Sequence, residues 1–595
     1  MQGNQYILKE IRKRMKKLGV DAMIIPSSDP HQSEYTASHW KTRVWLTGFT
    51  GSAGTAVITQ RHAGLWTDSR YFIQAEQELK GSAFELHKLR VPHTPGHLAW
   101  LLEKLKKGAS IGIDANLFSV SQVEAMKKQC ALKNIKIKTN GSFIYPFWKK
   151  RPALPQNSIF ELKLKYAGQS RKNKLAKICD KFTNQKVDYC LVSTLDDIAW
   201  ILNLRGSDVE SNPVFVAFLM VGKNKSYLFV DPDKISNILY KRLLKDKVVV
   251  KKYDEIDEFL KTSSQKARIL YDPNVTSMAL ASKIKQANGI LGDTPSTYLK
   301  AIKNPTEIEG IRQAMLKDGV ALTKLYMWLE DNVDSKKIDE VAVAERLAAF
   351  RAEQKGYFGE SFGAIVGYKG NGAIVHYSAK RPGCATLKPK GVLLLDSGGQ
   401  YHCGTTDITR TTCFSKPTKG LMQDYTAVLK GHIAVASCVF AKGTRGHQLD
   451  LLARKPLWAV GKNYGHGTGH GVGHFLNVHE GPQSISPALG GKAALPFAPG
   501  MFTSNEPGFY KQGDYGIRIE NLVLTVEIEK NEYGTFYGFE TLTLFPIDTQ
   551  MIANEMLTRD EVNWINNYHK MVYKKLSPLL NTREKKWLRE MCKSI

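Results

Sequence analysis

Five side chains in the last third of the chain, Asp396, Asp407, His470, Glu506 and Glu520, have the types and sequence settings needed to hold two divalent cations. Asp396 closes the apolar run Val392-Leu393-Leu394-Leu395 ahead of Ser397-Gly398-Gly399, which puts a carboxylate at a strand end beside a flexible turn. Asp407 opens the β-branched run Ile408-Thr409-Arg410-Thr411-Thr412, so a hairpin would bring both carboxylates to one point. Glu506 precedes Pro507-Gly508, a pair that ends a strand. Glu520 lies in the alternating stretch 515–521, read as one strand, where Arg518 and Glu520 share a face and Arg518 becomes a natural supporting partner for metal ligands. Four carboxylates and one imidazole form an oxygen-rich set that suits Mn²⁺ better than a thiolate-selected metal. Two such ions sharing carboxylates would lower the pKa of a water held between them and stabilise the oxyanion it forms on attack, which is hydrolytic chemistry. Any one of these acids alone reads as a cap or a solvated charge; four of them with a histidine in this order do not.

The segment 465–474, Gly-His-Gly-Thr-Gly-His-Gly-Val-Gly-His, excludes two other chemistries. Its alternate glycines fit no G-x-G-x-x-G register, so it is not a dinucleotide fingerprint. His466 and His470 have the spacing of a zinc-protease helix, but Gly467 stands where the glutamate is required and the glycines oppose a helix. A glycine-rich loop that lets backbone approach a substrate closely is the expectation.

The elements that must position these residues form a chain of the α/β and α+β multidomain class. A weak repeat organises the first half: a basic helical segment leads into 20–25, then 45–49 and 65–68, and the same order recurs through 187–192, 200–204 and 228–231. This suggests two related α/β domains, with Pro146, Pro152 and Pro155 punctuating the passage between them. A third domain begins near Asn304-Pro305, where Thr306 and Glu309 have capping-box spacing and Ile308, Ile311, Met315, Leu322, Tyr326 and Leu329 follow helical spacing as core positions. The expected boundaries are 1–148, 149–303 and 304–595.

Several motifs carry a family resemblance: Asn371 to Tyr377, Leu395 to Tyr401, Thr405 to Thr411, His466 to Gly473, Val478 to Pro482, Asn505 to Gly508 and Gly516 to Asn521. Together they resemble the catalytic domain of Xaa-Pro aminopeptidases, the aminopeptidases P of the pita-bread metallopeptidase family. Upstream, His31 to Tyr35, Gly48 to Thr55, Trp66 to Tyr71 and Ala199 to Asp208 extend the resemblance over nearly the whole chain, to the long, three-domain, cytosolic-type branch. The resemblance implies two creatinase-like N-terminal domains before a pita-bread catalytic domain. It also implies that Asp396, Asp407, His470, Glu506 and Glu520 bind two metals, with Asp407 and Glu520 bridging. His376 and His479 are implied to contact the scissile carbonyl or shuttle protons, and His466 to line the substrate subsites; His474 receives no role.

The implied reaction is release of an N-terminal residue when proline is second, by attack of a dimetal-bound hydroxide, with Glu506 or His479 passing a proton to the prolyl nitrogen. Proline has no amide N–H, so a dedicated pocket is needed. Tyr35 and Arg43 are candidates for substrate contacts beyond the first two positions. A homodimer and a cytoplasmic location are implied as well. Prolidase, restricted to dipeptides, shares the chemistry but not the repeated N-terminal domains; a noncatalytic binding protein of the fold would be expected to have lost ligands.

Composition is compatible with this reading. The 595 residues are 43% hydrophobic, ordinary for several globular domains. No run approaches the roughly 18 apolar residues of a membrane span. The eight cysteines are dispersed without a C-x-x-C pair, as expected of reduced thiols in a cytosolic protein, and Cys403 and Cys413 are not needed as ligands beside five others. The formal charge of +28 raises nucleic acid as a partner, but the lysines are scattered, without an RNA-binding signature or basic tail, and read as a solvated surface.

Overall fold

The computed structural model describes residues 2–89, 94–139, 143–183, 186–335 and 337–595. Two compact units divide it: 1–163 with 169–297, and 164–168 with 298–595. Among the described residues no helix is long and apolar enough to cross a membrane.

The first unit builds one topology twice. Strands β1 (Ala22–Ile25), β2 (Thr55–Thr59), β3 (Ala63–Thr67), β4 (Glu85–Lys88), β5 (Ser110–Gly112) and β6 (Lys136–Lys138) form a sheet in the order β4-β3-β2-β1-β5-β6. After β7 (Phe160–Glu161), the strands β8 (Tyr189–Val192), β10 (Phe218–Gly222), β11 (Ser226–Phe229), β12 (Val248–Lys251), β13 (Ile269–Tyr271) and β14 (Gly289–Leu291) give β12-β11-β10-β8-β13-β14, while β9 (Leu204–Arg205) pairs with β7. Each sheet has an antiparallel centre, β1-β2-β3 or β8-β10-β11, flanked by parallel pairs. The repeat in the sequence is therefore a repeat of topology, and its stretches 45–49 and 200–204 overlap equivalent short helices, Thr42–Thr47 and Leu195–Leu202. β1 is buried along its whole length, as its unbroken apolar run requires, with Leu8, Ile11 and Met15 of the helix Gln2–Lys17 packed on Met23 and Ile25.

In the second unit the helix Pro305–Asn332 starts earlier than its spacing predicts. Asn304, not Thr306, is the cap: its side chain accepts from the Thr306 and Glu307 N–H groups, while Glu307 reaches back to the Asn304 N–H. Pro305 at the first helical position needs no N–H partner, which fixes that register. Ile311, Met315, Leu322, Tyr326 and Leu329 are buried, and Ile308 packs partly buried against the core that holds Ile311 and Met315.

The strands here are β15 (Tyr357–Glu360), β16 (Ile365–Tyr368), β17 (Val392–Ser397), β18 (Gly399–Tyr401), β19 (Gly404–Thr405), β20 (Ile408–Cys413), β21 (Phe440–Ala441), β22 (Gly469–Gly471), β23 (Glu480–Ile485), β24 (Phe502–Asn505), β25 (Gly508–Lys511), β26 (Tyr515–Arg518), β27 (Asn521–Asn531) and β28 (Gly534–Thr541). They form β16-β17-β20, β15-β18-β19, β25-β26 and the larger β21-β28-β27-β24-β22-β23. Behind them, Tyr425, Val428 and Leu429 of the helix Lys419–Ala436 share a core with Phe502, Ile517, Leu522 and Leu524 and with Ile565, Tyr568 and Val572 of the helix Arg559–Leu576.

Three local expectations change. β17 and β20 are paired with Ser397 opposite Ile408, but their connection is a second hairpin, β18-β19, belonging to another sheet. The stretch 515–521 is not one strand: β26 ends at Arg518, β27 begins at Asn521, and Glu520 sits at the break because its N–H donates to Thr409 O (3.1 Å) on β20. The glycine-rich segment holds a short strand, β22. A Cβ on Gly469 or Gly471 would collide with the carbonyl of Ser504 or Glu480, so the close backbone approach these glycines permit is to β24 and β23.

Candidate metal centre and active site

Asp396 near the end of β17, Asp407 just before β20, His470 in β22, Glu506 just after β24 and Glu520 at the β26–β27 break come together in one cluster. Donor atoms of Asp407, His470 and Glu520 all lie within 4.8 Å of one another. His470 Nε2 stands 3.5 Å from Asp407 Oδ2 and 3.4 Å from Glu506 Oε1. Its Nδ1 is 3.0 Å from Gly471 O, which assigns the proton to Nδ1 and leaves the Nε2 lone pair facing the carboxylates. Ser504 joins the two ligand strands: its hydroxyl accepts from the His470 N–H (2.9 Å) and donates to Glu506 Oε1 (3.3 Å).

A buried arginine organises the opposite side. Arg518 Nη2 donates to Asp396 Oδ2 (2.5 Å), Nη1 to the Tyr510 hydroxyl (2.6 Å) and Nε to Thr409 Oγ1 (3.1 Å), whose own proton goes to Glu520 Oε2 (2.8 Å). Tyr510 Oη in turn lies 2.8 Å from His466 Nε2, and His466 Nδ1 lies 2.7 Å from Gly467 O. One guanidinium thus orients a carboxylate, a threonine and, through Tyr510, the His466 ring.

The electrostatics fit cations. Burial, followed by the charges of Asp396 and Glu506, holds the Asp407 carboxyl far above its usual range. Burial and the Asp407 and Asp396 charges do the same to Glu520. Glu506 is pushed up to about 7 by burial first and the Glu520 charge second. Asp396 Oδ1 is buried and accepts no hydrogen bond from any described residue. Four acids with one guanidinium beside them are under-compensated, and two divalent ions are the charge that such a donor set is missing.

The remaining residues singled out in the sequence fall as follows. The His479 ring packs edge-on to His470, with centroids 4.2 Å apart. Its neighbour Glu480 is buried between Lys303 (2.6 Å) and Lys300 (3.3 Å). His376 follows the short helix Lys369–Ala373, whose Gly372 carbonyl presses on Gly516 of β26 so closely that a Cβ there would collide with it. This turn is tied on both sides to the buried Glu340, by Asn371 Nδ2 (3.0 Å) and the Tyr377 hydroxyl (2.8 Å). His474 is buried. Cys403 and Cys413 are free, buried thiols. In the first unit Tyr35 is half-buried. Arg43, read as solvated or substrate-facing, is buried; it donates to Ser27 Oγ (2.6 Å), Phe49 O (2.8 Å) and Gly51 O.

Sequence reasoning gave no role to Arg410, Glu340, Lys300 or Lys303. Arg410 bonds Glu520 O (2.7 Å), Asn521 Oδ1 (2.9 Å), Phe545 O (2.6 Å), Pro546 O (2.9 Å) and the Tyr568 hydroxyl (2.9 Å), pinning the Glu520 turn to β20. A lone arginine among β-branched residues was the available signal.

Family models match most of the chain. The creatinase/prolidase N-terminal domain matches residues 7–140 and, in a second form, 150–307; metallopeptidase family M24 matches 309–527 and its C-terminal region 535–595. Aminopeptidase P2 of Arabidopsis thaliana is 40% identical to this chain, over 98% of it and 87% of the plant protein. The chain belongs to the Xaa-Pro aminopeptidase family. A probable Xaa-Pro aminopeptidase P of Laccaria bicolor is 41% identical over 98% of this chain and 92% of its own. The X-prolyl aminopeptidase of Caenorhabditis elegans, described as a cytosolic enzyme with a di-nuclear active site, superposes with a TM-score of 0.95 at 33% identity, over 100% of both chains. The fold of this family member is thus two creatinase-type domains followed by a pita-bread domain, and the chain is a metallopeptidase.

Proposed function

We propose that this enzyme removes the N-terminal residue from peptides whose second residue is proline. The observation that carries the reading is the cluster itself: three buried carboxylates, the half-buried Glu506 and the Nε2 of His470 come together beside the Arg518 guanidinium, in a chain similar to Xaa-Pro aminopeptidases over 98% of its length. In this reading Asp396, Asp407, His470, Glu506 and Glu520 would hold two divalent ions, most suitably Mn²⁺. What the ions supply when bound is Lewis acidity and acidification of a water.

The chain's own groups do the rest. Glu506 takes the proton of the attacking water and returns it toward the prolyl nitrogen. His479 shares that transfer, and His376, held by the Glu340 network, donates to the developing oxyanion. His466, fixed by Tyr510, lines the substrate subsites, and Arg518 keeps Asp396 and Glu520 in place. Tyr35 and Arg43 stay substrate-binding candidates, Arg43 acting through the loop it holds.

The functional division is 1–148, 149–303 and 304–595, and the working state is a cytoplasmic homodimer acting on peptides, without nucleic acid. The test is substrate choice: with Mn²⁺ restored, release of Arg from Arg-Pro-Pro but not from Arg-Ala-Pro supports the proposal. Cleavage confined to the dipeptide Arg-Pro marks a prolidase instead, and no turnover with any of the three sinks both.

A further inference from the structure

The first sheet carries a second set of metal donors at its β3–β4 edge. His62 ends the turn between β2 and β3, where its carbonyl accepts from the Thr59 N–H (2.8 Å) and its own N–H donates to Thr59 Oγ1 (2.9 Å), so the backbone beneath its ring is fixed. β3 and β4 run parallel with Gly64 opposite Glu85 and Trp66 opposite His87, which puts all four on one sheet edge at alternate positions. His62 Nε2 and His87 Nε2 are 3.1 Å apart, and His87 Nε2 is 3.9 Å from Glu85 Oε1. One donor atom from each of the three residues falls within a 4.8 Å sphere of mutual distance.

The surroundings set this cluster in place. The His87 ring lies flat on Trp66, with centroids 3.8 Å apart and 3° between planes, and Trp100 packs against both His62 (4.6 Å) and Trp66 (5.3 Å). Gly64 leaves the room: a Cβ there would stand 2.6 Å from His62 Nε2 and 2.9 Å from His87 Cδ2. Burial is the main force lowering both imidazole pKa values.

We propose that His62, Glu85 and His87 form a Zn²⁺ site on the edge of the first sheet, additional to the carboxylate centre. Two imidazole nitrogens on one tetrahedral zinc stand about 3.3 Å apart, given Zn–N near 2.0–2.1 Å, close to the 3.1 Å between the present pair. Glu85, with its side chain 68% exposed, closes the remaining gap by turning about its own rotamers, and water completes four-coordination. Two imidazoles and one carboxylate favour zinc over Ca²⁺ or Mg²⁺, which take oxygen. All ligands come from one unit, so the site does not depend on the aminopeptidase reading.

Equilibrium dialysis of the metal-free, full-length protein against Zn²⁺, with bound metal counted per chain, tests this. The double variant His62→Ala/His87→Ala is expected to bind one equivalent fewer than the parent while still hydrolysing Arg-Pro-Pro at the parental rate. Because that variant also removes the ring stacked on Trp66, Glu85→Gln provides a surface change that leaves the packing intact; it should weaken the extra equivalent by about tenfold or more. Identical stoichiometry and affinity in all three proteins would overturn the site and would leave the imidazole pair as a hydrogen-bonded packing contact.

Discussion

Glu506 and Arg518 do the most discriminating work among single side chains. Glu506→Gln removes the group that takes the water's proton, so kcat for Arg-Pro-Pro is expected to fall by about 10²–10⁴-fold. Arg518→Ala leaves Asp396 and Thr409 without the donor that aims them; the Mn²⁺ concentration needed for half-maximal activity should rise by about 10–100-fold. The acids also make the metal-free protein pH-sensitive. Glu506 is about 7 in the folded chain against about 4.3 unfolded, so its contribution is fully present below the unfolded value and is lost as pH rises through the folded one. Asp407 and Glu520, raised further, act in the same direction. Thermal unfolding of the metal-free protein should therefore fall in midpoint between about pH 5 and 8, and Mn²⁺ should reverse that fall by filling the pocket with positive charge. A midpoint that rises with pH without metal would contradict these shifts.

At the scale of elements, the site depends on close backbone approaches and on buried staples. Gly469 and Gly471 let β22 enter between β24 and β23, and His470 is carried between them. Glu340 accepts from the Tyr368 and Ala385 N–H groups (2.8 and 2.7 Å) as well as from Asn371 and Tyr377, so it holds the whole turn that bears His376. Glu340→Ala would leave buried donors unpaired, and a loss of about 3 kcal/mol in urea unfolding is expected, together with reduced kcat; an unchanged unfolding midpoint would show that the turn is held by something else. These staples explain what the sequence hid. Four of the five candidate ligands stood out because they sit beside a Gly or Pro turn or at the start of a β-branched run, and Glu520 because of the alternation around it. Arg410 was not, since its partners Glu520, Asn521, Phe545 and Tyr568 lie more than a hundred positions downstream. The helix cap was displaced because Thr306 and Asn304 both precede an acid at the right spacing, and only the preference of Pro305 for the first helical position separates them. The stretch 515–521 looked continuous because alternation records which face is buried, and both strands bury theirs against the same core.

On the scale of the whole molecule, the duplicated topology of the first unit was visible as a weak repeat, since buried central strands constrain residue type at matching places. The +28 charge carried no such information: it records composition, and ion pairs such as Lys300 and Lys303 with Glu480 draw part of it inside. The C-terminal helices belong to the catalytic core. Ile565, Tyr568, Val572, Leu576 and Leu588 are buried in the cluster that contains Leu522 and Leu544, and Tyr568 bonds Arg410. A chain ending before Arg559 is therefore expected to aggregate or to lose its cooperative unfolding transition, as judged by light scattering and circular dichroism. The measurement that bears most directly on the central claim is titration of the metal-free protein with Mn²⁺ while release of Arg from Arg-Pro-Pro is followed, for the parent and for Glu506→Ala. Activity that climbs to saturation with two equivalents in the parent and stays at background in the variant is the predicted result; hydrolysis that is full without metal, or equal in the variant, would contradict it.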